Sequence, residues 1–173
     1  AVIQWAQAYD PAFYQRLSQD ISFAKGIFSI DRGGNKPRKD LAKWSDAPDY
    51  AAYFFDETFT PCDEWPDPIL PADAAQVLNA YKAVYDPAQD KQEWFQTIKD
   101  LCPSLGFCPE VKDYKKNPEG FKGHAGDVST LIRMAVTGRR NTPDLCGIMK
   151  LMGPDRVRQR LDRAIAAWSD ANT

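Results

Sequence analysis

The sequence predicts an all-α fold, and three observations carry that prediction. Apolar residues recur at helical spacing along most of the chain. Helix-starting and helix-stopping residues stand at the ends of those runs. No alternating apolar–polar pattern exceeds four residues, which leaves no strand of ordinary length.

Phe13, Tyr14, Leu17, Ile21, Phe23 and Phe28 predict a helix over 12–29. The run Asp31-Arg32-Gly33-Gly34-Asn35-Lys36-Pro37 then stops it in an exposed loop. Ser45 or Asp46 is placed to cap a helix near 47–56, with Tyr50, Tyr53, Phe54 and Phe55 as its apolar body. Pro61, Pro66, Pro68 and Pro71 break any regular element across 60–71. This stretch reads as a connector between two helical sub-bundles, 1–59 and 72–173. Beyond it Ala74, Val77, Leu78, Tyr81 and Val84 mark the next helix. Asp90 with Glu93 forms a capping box for a helix carrying Trp94, Ile98 and Leu101.

Residues 103–126 are loop-rich, broken by Pro103, Gly106, Pro109, Pro118, Gly120, Gly123 and Gly126, with lysines at 112, 115, 116 and 122. Val128, Leu131, Ile132 and Ala135 then mark an amphipathic helix ending at Gly138. Thr142-Pro143-Asp144 reads as a helix start, with Thr142 as cap and Pro143 at the first position. Leu145, Ile148, Met149 and Met152 would form its buried face, and Gly153 its stop. Pro154 opens the final helix, with Val157, Leu161, Ile165 and Trp168 inward and Arg156, Arg158, Arg160 and Arg163 on the solvated flanks.

The 173 residues are enough for one ordinary domain with its own core. At 43% apolar and 27% charged the chain is globular in character. No apolar run approaches the roughly 18 residues that span a bilayer. The start lacks a basic n-region, a signal h-region and an initiator Met, and reads as that of a mature or excised fragment. Cys62, Cys102, Cys108 and Cys146 form no Cys-x-x-Cys and match no zinc spacing, so they read as reduced thiols of a cytoplasmic protein. The single histidine, His124, excludes two-histidine metal sites and reads as a loop residue. No nucleophile elbow, phosphate loop or dinucleotide fingerprint is present. We therefore expect no catalytic residue, metal site or cofactor in this chain, and binding rather than catalysis.

The net charge of −2 argues against a free-standing nucleic-acid binder. The distribution is uneven. Residues 1–109 hold 10 basic and 16 acidic side chains, and 110–173 hold 12 and 8. Inside the acidic part Arg32, Lys36, Arg38, Lys39 and Lys43 form a basic stretch. A polyanion could meet two local patches on a mildly acidic body.

Residues 128–165 contain Leu-Ile-Arg-Met-Ala-Val-Thr-Gly, then Thr-Pro-Asp-Leu, then Leu-Met-Gly, and last Arg-Val-Arg-Gln-Arg-Leu. This ordered series resembles the C-terminal region of bacterial glutamyl-tRNA synthetases. Lys36-Pro37-Arg38 through Trp44-Ser45-Asp46, followed by Tyr53-Phe54-Phe55, is similar to the earlier half of the same region. Residues 60–125 fit only in character. The resemblance implies an all-helical cage that binds the anticodon loop of glutamate tRNA. The family's catalytic domain and its ATP signatures lie upstream, and neither signature is in this chain. ATP and Mg²⁺ would thus belong to the parent enzyme. The implied partners are the anticodon loop of tRNA(Glu) and the catalytic domain of the same polypeptide, with no membrane, in a monomer.

By that resemblance Arg38 matches the arginine that reads the third anticodon base. Arg133, Thr142, Pro143 and Leu145 match a second anticodon-contacting group. Arginine suits the task because its planar fork gives two parallel bonds to a base edge. Lys36, Arg139 and Arg140 are expected to contact phosphate, which positions RNA without reading it. The alternative is a free-standing, non-catalytic helical module for RNA or protein derived from this region. Discrimination against glutamine tRNA stays open.

Overall fold

Capping chemistry divides the chain into helices. In the computed structural model, which describes residues 1–62, 64–66 and 69–171, ten α-helices are found among the described residues. They are α1 (Val2–Tyr9), α2 (Pro11–Gln19), α3 (Ile21–Ile27), α4 (Ala47–Ala51), α5 (Pro71–Val84), α6 (Lys91–Leu105), α7 (Val111–Tyr114), α8 (Ala125–Thr137), α9 (Leu145–Met152) and α10 (Pro154–Asp170). No strand occurs among the described residues, only an isolated bridge between Cys108 and His124. The expected all-α class holds.

The N-terminal part differs from expectation. A helix over 2–9 precedes the first predicted one, and the predicted helix over 12–29 is two short helices broken at Asp20. The breaks are made by acids. Asp10 Oδ1 accepts from the Phe13 N–H at 3.0 Å and Asp20 Oδ1 from the Phe23 N–H at 2.8 Å, so each aspartate starts a helix of its own. The predicted 47–56 helix is a 3-10 turn (Trp44–Asp46), α4, and a second 3-10 turn (Ala52–Phe54). Proline 68 of the expected connector lies outside the described residues. Pro71 occupies the first turn of α5, where its missing N–H costs nothing.

The Asp90–Glu93 capping box forms as predicted. Asp90 Oδ1 accepts from the Gln92 and Glu93 N–H groups, and Glu93 Oε2 from the Asp90 N–H at 2.9 Å. Pro103 does not end α6 but lies inside its last turn, and Gly106 in the left-handed conformation closes the helix. His124 is not a plain loop residue. It caps α8: its Nδ1 accepts from the Gly126 N–H at 3.0 Å, and its own N–H donates to Asp127.

The final helix organises the core. α10 lies along α5 and touches α8 and α9, while α6 packs on α5 and α8. Trp168, Tyr81, Phe13, Phe54 and Phe107 are its largest fully buried side chains, drawn from both ends of the chain. Arg160 corrects the expectation that the arginines of α10 sit on solvated flanks, since it is 3% exposed. Its guanidinium donates to the Tyr53 carbonyl, to the Val136 carbonyl at 2.7 Å and to Asp56 at 3.1 Å, over the face of Phe59. A buried cation is tolerated because each bond replaces one to water.

The loop after α8 depends on one glycine. Gly138 has φ +70°, and a Cβ there would collide with the Thr60 carbonyl oxygen. The chain therefore turns sharply off α8 and brings residues 139–144 against the segment 38–53.

Candidate nucleic-acid interface

The first wall is the loop after α3. Asp31 takes the left-handed conformation, φ +57°, which aspartate tolerates better than most residues. Its carbonyl accepts from the Arg38 N–H at 3.0 Å. Arg38 then forms a two-pronged pair with Asp40: Nε to Oδ2 at 2.8 Å and Nη2 to Oδ1 at 2.7 Å. That bond holds the Asp40 carboxyl below its ordinary pKa and raises that of the guanidinium. Asp40 occupies one edge of the fork and leaves the opposite edge for a second partner.

The second wall is the turn from α8 into α9. Thr137 Oγ1 donates back to the Arg133 carbonyl at 2.7 Å, ending α8. Thr142 is not the cap of α9; Asp144 is, and its Oδ2 accepts from the Gly147 N–H at 2.9 Å. The Pro143 signal is thus displaced by two positions, because Asp144 can reach the free N–H groups while the Thr142 hydroxyl is engaged elsewhere. That hydroxyl donates to the Pro143 carbonyl at 2.9 Å and accepts from Arg133. Arg133 Nη1 also donates to the Pro143 carbonyl at 2.8 Å and to the Thr142 carbonyl at 3.3 Å. Burial lowers its pKa, yet an arginine stays charged.

One hydrogen bond ties the walls together. Asp31 Oδ2 accepts from the Asp144 N–H at 2.8 Å, across 113 positions of sequence. Between the walls opens a cleft of about 390 Å³, lined by Arg38, Asp40, Tyr50, Tyr53, Arg139, Thr142 and Pro143, among others. Arg139 donates to Asp49 at 3.0 and 3.3 Å and to its carbonyl at 2.6 Å, with its guanidinium 5.4 Å from the Tyr53 ring centre.

The expected site residues therefore separate. Arg38, Arg139, Thr142 and Pro143 meet in the cleft. Arg133 stands behind it, bonded to the 142–143 turn. Leu145 is 1% exposed and packs in the core, so it offers no surface to a base in this structure. Arg140 lies outside the cleft and reaches the Trp65 carbonyl and Glu64. Lys36 is exposed on the 31–38 loop, away from the cleft lining.

Sequence reading passed over Asp31, Asp49, Tyr50 and Tyr53 as site residues. The tyrosines carried a signal: two hydroxyls in an otherwise apolar helix body. Asp31 and Asp49 carried none, since their roles come from contacts distant in sequence. No group of three or more metal-ligating side chains is assembled among the described residues, and no helix there is long and apolar enough to cross a membrane. All four cysteines are unpaired, and burial pushes the Cys102 thiol up to about 11.

A family model described as anticodon binding domain matches residues 37–165. The chain is 38% identical over 164 residues to a glutamate–tRNA ligase of Acetivibrio thermocellus, covering 95% of this chain and 30% of that protein. It is 41% identical over 161 residues to that of Clostridium perfringens strain 13, covering 91% and 30%. With the Sorangium cellulosum glutamate–tRNA ligase it shares 36% over 163 residues, covering 93% and 28%. The chain thus spans about 30% of the length of these relatives.

Proposed function

We infer the function from family membership: this chain belongs to the anticodon-binding domain family. We propose that it is the anticodon-binding part of a glutamate–tRNA ligase, docking tRNA(Glu) and discriminating its anticodon for glutamate attachment in translation. The parent would work in the cytoplasm as a monomer, with a catalytic domain in the same polypeptide. ATP and Mg²⁺ would act in that domain, and no residue of this chain is assigned to them. On the proposed division, the cleft is the junction of sub-bundles 1–59 and 72–173.

One observation carries this reading. A single cleft gathers Arg38 with Arg139, Thr142 and Pro143, from segments about a hundred residues apart. Loop bases of RNA are read when unstacked, by bonds to their edges and contact with their faces. Arg38 presents a free guanidinium edge, pre-oriented by Asp40. The 142–143 turn, whose side chains are themselves buried, closes the wall of the cleft with a fixed backbone. Arg133 acts on this turn from behind, as its brace. Leu145 anchors the start of α9 in the core and keeps the turn in place. Lys36, Arg139 and Arg140 contribute charge that positions the RNA.

The test is binding of this chain, wild type and Arg38→Gln, to a glutamate tRNA transcript and to one altered at the third anticodon base. A two-pronged arginine contact is worth about 1–3 kcal/mol of discrimination, or roughly tenfold or more. Wild type should show that preference and the variant should lose it. Equal binding of both transcripts by wild type would overturn the reading.

A further inference from the structure

The cleft is charged but nearly balanced within itself. Arg38 is paired with Asp40 and Arg139 with Asp49, while Asp46 Oδ2 accepts from the Ala42 and Lys43 N–H groups. Such a lining offers a phosphate little net attraction while its pairs are intact, and suits a neutral planar group with donors and acceptors.

Against that lining two tyrosine hydroxyls, those of Tyr50 and Tyr53, are buried without a hydrogen-bond partner among the described residues, and Tyr53 is the more deeply buried. Tyr53 lines the cleft and is 3% exposed. Its hydroxyl is buried and has no hydrogen-bond partner among the described residues. The Arg139 guanidinium lies 5.4 Å from the ring centre, so the ring stands against the rim of the cleft. Burial pushes the phenol up, so it remains a neutral donor and acceptor. A buried polar group without a partner is costly, and the cost is removed by a ligand atom that bonds to it. A phenylalanine would serve packing alone equally well.

We propose that the Tyr53 hydroxyl is a further specificity determinant of this cleft, hydrogen-bonding the edge of an unstacked base beside Arg38. This rests on the reading of the cleft as an anticodon site. Tyr53 is placed for it by the 3-10 turn of 52–54, whose carbonyl at Tyr53 is held from below by Arg160.

Tyr53→Phe removes the hydroxyl and little else. The test compares wild type, Tyr53→Phe and Arg38→Gln for affinity toward the glutamate tRNA transcript and the anticodon-altered transcript, with the thermal midpoint of each protein. Tyr53→Phe is expected to weaken the glutamate transcript by roughly five- to tenfold, the worth of one hydrogen bond. The altered transcript should bind as before, and the midpoint should be unchanged or higher. Unchanged affinity for the glutamate transcript, with wild type still selective, would overturn the inference and leave the anticodon reading standing. An equal loss on both transcripts would place the hydroxyl on phosphate and overturn it too. A lowered midpoint with unchanged selectivity would make the hydroxyl structural. A wild type without preference would overturn the anticodon reading itself, and this inference with it.

Discussion

Arg38 and Arg139, at the rim of the cleft, each pair with a solvent-contacting carboxylate, Arg139 with one carbonyl besides, whereas Arg133 and Arg160 are held chiefly by main-chain carbonyls, Arg160 with Asp56 besides. The difference is one of chemistry as much as of depth. A carboxylate can be protonated, screened by salt or exchanged for another anion. A carbonyl that belongs to the fold can do none of these. The rim arginines are thus able to change partners when RNA arrives, and the interior ones fix the surfaces against which that exchange takes place. Each variant below breaks one side of this contrast, from the deepest support outward.

Arg160→Met keeps length and apolar bulk but leaves the Tyr53 and Val136 carbonyls without their donor. Buried pairs can often be replaced by apolar groups, but only when both partners go, and here the carbonyls stay. A stability loss of about 3 kcal/mol is expected in urea unfolding. A loss below about 1 kcal/mol would mean that water reaches these carbonyls and that Arg160 is no interior support.

Arg133→Ala comes next, at about 2 kcal/mol, because it removes charged bonds to Thr142 and Pro143 from a half-buried site. As a brace, Arg133 should affect both transcripts together when lost. Lost discrimination with stability intact would instead make it a reader, which is the role the resemblance implied.

Asp31→Ala removes the acceptor for the Asp144 N–H that ties the two walls. About 1 kcal/mol is expected, with weaker binding of the glutamate transcript. Asp31→Asn should restore both, since asparagine keeps an acceptor and tolerates the left-handed conformation. Failure of the asparagine rescue would mean that charge, and not the bond, is what Asp31 supplies.

The unequal visibility of these arginines in the sequence has a physical cause. Helices α5, α6, α8 and α10 were legible because their apolar spacing and caps are local, as with Asp90–Glu93 and Gly138. Helix α1 and the break at Asp20 were not, because helices of two turns carry too few apolar positions to show a period. Arg160 shares a face with Val157, Leu161 and Ala164, so its burial was readable from spacing. Its charge is what points to the flank instead. Arg38, Thr142 and Pro143 came from a resemblance, and no local pattern places them together. The cleft itself arises from the Asp31–Asp144 bond and the Gly138 turn, which join distant segments, and no periodicity encodes that.

The smallest effect belongs to the rim and tests its distinguishing property. The Asp40 carboxyl is held below its ordinary pKa by Arg38. A group lowered in this way adds stability that is present above the ordinary carboxylate range and disappears as pH falls through its folded value. The pair is part exposed, at 32% and 27%, so it is worth less than about 1 kcal/mol near neutrality. Asp40→Asn should therefore cost that little at pH 7, and the deficit should vanish as pH falls below the ordinary carboxylate range and shrink in ~1 M salt, where screening acts within about 3 Å. The Arg160→Met deficit should be far less sensitive to either change, since its main acceptors are carbonyls. Urea titrations of both variants across pH and salt compare the two directly. A deficit for Asp40→Asn that persists under both conditions would show that the rim pair is as fixed as the interior, and that RNA does not meet Arg38 by exchange with a labile partner.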